Sequence, residues 1–156
     1  MSEIRGTLEH IRRRLDEFLS AEHPRSHEWV VLSNIIGDRN DRLIMVLANV
    51  QRETATANAV VAPPLYIDLF LLFYANFGDD QYPEGLGVIG RTVRFFQENP
   101  LFTRDNLPGL DPEIDKLTFE MINLDLAELN HLVGMMGVRY LPSVYYKVRI
   151  IRSDRR

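Results

Sequence analysis

Few residues of this chain have the types and spacing that do chemistry. Gly85, Gly87 and Gly90 form a G-x-G-x-x-G, the pattern of a dinucleotide-binding turn. That turn needs a strand directly before it, a helix opening inside it and an acidic residue about 20 positions on. Here the preceding residues are FGDDQYPE, a loop, and the acidic residue would be Asp105 in an irregular stretch. Close packing of a helix on its neighbour is the simpler use of these glycines. His27-Glu28 begins like a zinc-protease motif, but position 31 is Val where the second histidine must stand. His23 and His27 are separated by Pro24, which prevents the regular helix that would make them neighbours. His131 sits in a leucine-rich helix and reads as a surface or satisfied histidine before it reads as a ligand. Cysteine is absent, which removes thiolate metal sites, disulfides and a cysteine nucleophile together. The acidic groups around Asp79 and from Asp105 to Asp115 lack the spacing of a calcium loop. Asp68, inside an apolar run, is expected at a rim or beside an arginine, because a lone buried carboxylate is costly. The expectation is a non-enzymatic protein with no cofactor and no metal.

Charge is uneven along the chain. The net charge is −4. The segment from Arg139 onward holds Arg139, Lys147, Arg149, Arg152, Arg155 and Arg156 against Asp154 alone, with Tyr140, Tyr145 and Tyr146 interleaved. It can be a solvated strand and tail, or a docking strip for an acidic protein. Nucleic acid fits worst, because the rest of the chain is acidic and repels phosphate.

The elements that must position these groups follow from periodicity. Ile4, Leu8, Ile11, Leu15 and Phe18 step by 4, 3, 4 and 3, giving an amphipathic helix within residues 1–20 with one narrow seam. Such a seam lies across its own domain or docks on a neighbouring subunit. Glu28 to Ile36 and Leu43 to Val50 read as strands joined across a turn cluster, a plausible hairpin. Residues 51–62 read as a loop. Pro63-Pro64 then opens an apolar helix from about Leu65 to Phe77. That run contains Asp68 and is too short for the about 20 residues of a membrane span. A second helix covers about Glu84 to Glu98. Lys116 to Ile122 alternates as a strand, with Leu117, Phe119 and Met121 on one face. A helix follows from about Asp125 to Met136, with Leu126, Leu129, Leu132, Val133 and Met136 inward and Gly137 as its stop. Val144 to Ile151 forms the last strand. The fold class is α+β: one domain over 1–156, its core in 28–152, a mostly antiparallel sheet with several packed helices. The N-terminus has no secretory signal, so a chain that is cytosolic when made is expected.

Certain runs, in order, resemble a known family. They are PPLYIDLFLLFYANF (63–77), GLGVIG (85–90), FFQENPLFT (95–103), KLTFEMINLDLAELNHLVGMMG (116–137) and RYLPSVYYKVRIIRSD (139–154). The chain from about Trp29 to Asp154 resembles the tail-terminator (cap) family of phage-tail-like contractile injection systems, of the antifeeding-prophage and virulence-cassette type. A tryptophan often found in the ELNxLW stretch of relatives is Val133 here. The resemblance implies a structural subunit of a homohexameric ring at the baseplate-distal end of the particle. Such a ring ends tube and sheath growth and joins the two, in a particle that can be released from the cell. Its partners are further copies of itself and the sheath and inner-tube proteins, with no nucleic acid and no membrane. An assembly chaperone or adaptor that leaves the finished particle is the alternative.

The residues suggest how such a cap would act. An exposed sheet edge can take or give a strand by β-augmentation. The last strand is the expected edge or subunit contact, through Tyr145, Lys147, Arg149, Ile151 and Arg152. The helix seam of Ile4, Leu8, Ile11 and Leu15 is the second expected contact. Reversing charge at Lys147 and Arg149 is expected to weaken capping without unfolding the domain.

Overall fold

A computed structural model describes residues 2–34, 37–53 and 66–152. The elements run α1 (Ser2–Glu22), β1 (Val30–Leu32), β2 (Arg42–Arg52), β3 (Ile67–Asn76), α2 (Tyr82–Glu98), β4 (Leu101–Phe102), β5 (Ile114–Met121), α3 (Leu126–Met136) and β6 (Ser143–Arg152). The six strands form one sheet in the order β1-β2-β3-β6-β5-β4.

The run expected as a helix over Leu65–Phe77 is a strand. Ile67 to Asn76 form β3, which pairs antiparallel with β2 on one side and β6 on the other. An apolar run of this length has no period that separates a buried strand from a buried helix. The burial of β3 shows which applies: Ile67, Leu69, Leu71, Phe73 and Ala75 enter the main core on one face. Leu72 and Tyr74 enter a smaller cluster on the other. The Pro63-Pro64 start of the expected helix, and the expected loop from residue 54, lie outside the described residues. Gln51 and Arg52, expected in that loop, belong to β2.

The α+β class holds, but the sheet is mixed where a mostly antiparallel one was expected. Strand β1 has three residues and runs parallel to β2, with Val30 opposite Leu43. The expected hairpin between them is therefore absent. In its place Trp29 and Val30 are tied to α1, both backbone N–H groups donating to Asp16 Oδ1 at 2.7 and 3.1 Å.

Helices α1 and α2 cover the first face of the sheet. Leu8, Ile11, Leu15 and Leu19 of α1 are buried in the main core, and Ile4 and Phe18 pack against it. The seam thus lies across its own domain. Helix α2 opens with Pro83 in its first turn and buries Gly85, Val88, Thr92, Phe95 and Phe96. A Cβ on Gly85 would stand 3.2 Å from the Phe77 ring, so this glycine serves close packing as expected. Phe96 gathers the core. Its ring stacks on Phe119 at 4.4 Å and lies 4.8 Å from Tyr146, 5.0 Å from Phe95 and 5.3 Å from Phe73. Burial pushes the Tyr146 phenol up to about 12.

Trp29, the chain's one tryptophan, closes the corner where α1, β1 and α2 meet. Its indole N–H donates to His23 O at 2.8 Å, the Arg25 guanidinium lies 3.9 Å over its ring, and Phe77 stacks at 6.4 Å.

Helix α3 lies on the second face and is closed at both ends. Asp125 accepts from Glu128 N, and the Glu128 side chain returns to Asp125 N, a capping box. Gly137 ends it in the left-handed region at φ 67°.

Truncating Phe96 to Ala should cost about 3–5 kcal/mol of stability, because these four aromatic neighbours, with Phe102 at 6.4 Å, cannot collapse into the space. Leu126→Ala, on the exposed side of α3, should change stability by less than about 0.5 kcal/mol. Urea denaturation of the two variants checks both.

Candidate partner-binding surface

The last strand is not an edge. Strand β6 sits between β3 and β5, with Asp68 opposite Arg149 on one side and Thr118 opposite Arg149 on the other. Its backbone groups are used by the sheet. What it offers is a face. Val144, Tyr146, Val148 and Ile150 point into the main core. Tyr145, Lys147, Arg149 and Ile151 alternate with them and point to the second face.

The basic residues of this strand are engaged within the chain. Lys147 Nζ lies 3.6 Å from Asp68 Oδ2, Arg149 Nε 3.1 Å from Glu53 Oε2, and Arg152 Nη2 2.8 Å from Glu113 Oε2. Each carboxylate comes from a segment distant in sequence. The three basic side chains of the strand itself are therefore matched once the sheet forms. Tyr145 stacks on Phe70 at 5.8 Å, and burial raises its phenol above the ordinary value. Arg155 and Arg156 lie outside the described residues.

Asp68, expected at a rim or beside an arginine, is buried at 4 % exposure with a lysine as its partner. Its carboxyl is held above the usual range. Burial is the main cause, and a hydrogen bond and the charge of Glu53 add to it, while Lys147 and Arg149 act against them. With Asp68 at its centre, Lys147→Glu would place a further carboxylate beside a buried one. A charge reversal at 147 and 149 is thus a stability change as well as a surface change.

The sheet's open edges are short. Strand β4 has two residues and β1 three. Strand β2 is longer than its parallel partner, which reaches only Met45, so beyond that point its outer edge has no strand partner among the described residues. A register shift between Leu47 and Asn49 bends it there. The Val50 N–H, outside the ladder, donates to Asn49 Oδ1 at 2.9 Å.

Sequence periodicity missed an apolar surface around α3. Of the five side chains expected inward, Leu132 and Met136 pack against the second-face cluster, and no residue of α3 is fully buried. Leu126 is 86 % exposed. Leu126, Leu129 and Val133 instead line a groove with Tyr140. Met121, expected on the core face, is exposed at the end of β5. A clue was present in sequence: α3 has more apolar residues than one stripe on a sheet can bury.

A separate cleft lies at the far corner, lined by Glu22, Arg25, Trp29, Asp41 and Glu84. Its glutamates are paired, Glu22 with Arg94 and Glu84 with Arg91 at 3.9 Å, while Arg25 donates to the Asp41 backbone carbonyl. The G-x-G-x-x-G lies inside α2, with a 3-10 turn and not a strand before it. Among the described residues no three His, Asp or Glu side chains gather as metal ligands. Among the same residues no helix is long and apolar enough to cross a membrane.

The family model of the Pvc16 N-terminal domain matches residues 7–156. The chain belongs to this family. Two solved structures share its fold. One is the sheath/tube terminator of PVC, an extracellular contractile injection system, in its extended state. It has a TM-score of 0.57 and 14% identity, over 94% of this chain and 56% of that one. The other is the tube-terminating cap of the anti-feeding prophage, with a TM-score of 0.56 and 12% identity, over 94% of this chain and 55% of that one. The Pvc16-family chain described here thus spans little more than half the length of either. No curated protein matches it.

Asp68 gives this face a pH signature. A carboxyl raised in the folded state contributes stability that is full below its unfolded value, about pH 4, and is lost as pH rises through the folded value. Asp68→Asn removes that loss. The melting temperature of the native protein relative to D68N should therefore fall from about pH 4 upward. A difference that stays flat would contradict the assignment.

Proposed function

We propose that this domain is a terminator subunit of a contractile injection particle. Six copies form a ring at the baseplate-distal end, end the growth of inner tube and sheath, and join the two. The particle assembles in the bacterial cytoplasm, and the role is structural, without catalysis. The observation that carries this reading is family membership over residues 7–156, joined to a fold shared with two terminating caps over 94% of the chain.

The sheet supports a mechanism different from the one read from sequence. The outer edge of β2 beyond Met45, and not β6, is the backbone that can receive a strand from a sheath arm. Pairing there would cover hydrogen-bonding groups that otherwise template more growth. The second face of β6, with Tyr145, Lys147, Arg149 and Ile151, serves as the adjoining contact face, and Arg152 stands at the strand's end beside it. Its charges act on orientation more than on affinity.

Negative-stain electron microscopy of particles made with and without this chain tests the role. Its loss should give overlong, ragged or absent tubes, and restoring it should return one length; unchanged particles would refute the role. Val50→Pro tests the edge. Its N–H is outside the ladder, so proline there is tolerated as on edge strands. The variant should fold, yet leave tube ends uncapped. Uniform particles carrying V50P would rule out strand addition at this edge.

A further inference from the structure

Two carboxyl groups meet at the far end of the β2–β3 pair. Gln51 stands opposite Asp68, and the Glu53 N–H donates to Tyr66 O at 2.8 Å, which carries the pairing past the end of β2. Side chains alternate along a strand, so Glu53 shares the second face with Gln51 and Asp68 and is a diagonal neighbour of Asp68. Arg149 fixes the spacing from the other side. It stands directly opposite Asp68 on β6, yet its Nε lies 3.1 Å from Glu53 Oε2. Strand β3 runs between β2 and β6, so this ion pair reaches over Asp68 and draws the Glu53 carboxyl to it.

Asp68 lacks an ordinary donor. It is buried, and its Oδ1 receives no N–H or hydroxyl hydrogen bond among the described residues. Lys147 Nζ, at 3.6 Å from Oδ2, is an ion-pair partner and too far for a hydrogen bond. The Glu53 side chain is the hydrogen-bond partner of Asp68. Two carboxyls can make such a bond only when one of them holds a proton.

We infer that Glu53 and Asp68 hold one proton between them, and that this proton latches the last rungs of β2 onto β3. Its loss leaves two carboxylates face to face, and the rungs at Gln51 and Glu53 loosen. The latch is closed at low pH and opens as pH rises. Lys147 and Arg149 of β6 favour the ionised form and work against it. Glu120 of β5 stands opposite Lys147 in turn. Arg52 is opposite Ile67, on the first face. Helix α3 packs on Leu72 and Tyr74, further along β3, and its charges are not among those acting on Asp68. The latch thus sets, by pH, how firmly the open end of the β2 edge is held. It needs only the sheet and stands whether or not the chain caps a tube.

NMR of the native full chain and of Glu53→Gln tests both parts. The side-chain carboxyl carbons report the proton. In the native chain the Glu53 and Asp68 signals should move together, each showing the same two steps, as coupled carboxyls do. In E53Q one step should remain at Asp68, at lower pH than the upper native step, because the new amide donates without a proton and a like charge is gone. Separate titrations in the native chain overturn the shared proton, and so does an Asp68 titration that E53Q leaves in place. Hydrogen exchange at the residue 53 N–H reports the latch. Protection relative to the unfolded rate should fall through the upper step in the native chain and stay level across the same pH in E53Q. Asp68→Asn should level it as well. Level protection in the native chain, or an equal fall in both variants, overturns the latch.

Discussion

The fold depends on one strand that is apolar on both sides. Strand β3 carries Leu69, Leu71 and Phe73 into one cluster and Leu72 and Tyr74 into another. Such a strand cannot stand at an edge or face water on either side. It needs neighbours on both flanks and cover above and below. Strands β2 and β6 flank it, α1 and α2 cover the first face, and α3 covers part of the second. The rest of the architecture follows from meeting that demand with about half of the chain's residues. The second face is met only in part, and Leu126 of α3 stays exposed there.

Most elements were legible in the sequence, and the failures share a cause. The seam of Leu8, Ile11 and Leu15, the alternation of Val144, Tyr146, Val148 and Ile150, and the stop at Gly137 each carry a period or a local conformational demand. Each was read correctly. Strand β3 carries neither, because burial on both sides erases the period. The parallel β1–β2 pair was misread because two apolar runs around a turn cluster look alike whichever way they pair. What decides is Asp16 of α1 holding Trp29 and Val30, a contact between segments that sequence spacing cannot show.

The site was less legible than the fold. A basic strand suggests a free electrostatic surface only while its partners are unknown. Asp68, Glu53 and Glu113 come from β3, the end of β2 and the start of β5, and all converge on β6. Conversely, the helix that read as buried on one stripe is barely buried. Charge and hydrophobicity patterns describe what a side chain prefers. Which neighbour satisfies the preference is a property of topology.

Trp29 has a consequence for how this molecule can be watched. The indole is 2 % exposed, and its corner joins α1, β1 and α2. With a single tryptophan in the chain, all indole emission comes from that one corner. Its emission maximum is set by dry surroundings while the corner is closed and moves to longer wavelength when α1 lifts away. The protein therefore carries its own optical gauge of whether the first face is covered, with no label and no substitution. Events confined to α3, on the opposite face, leave that signal unchanged.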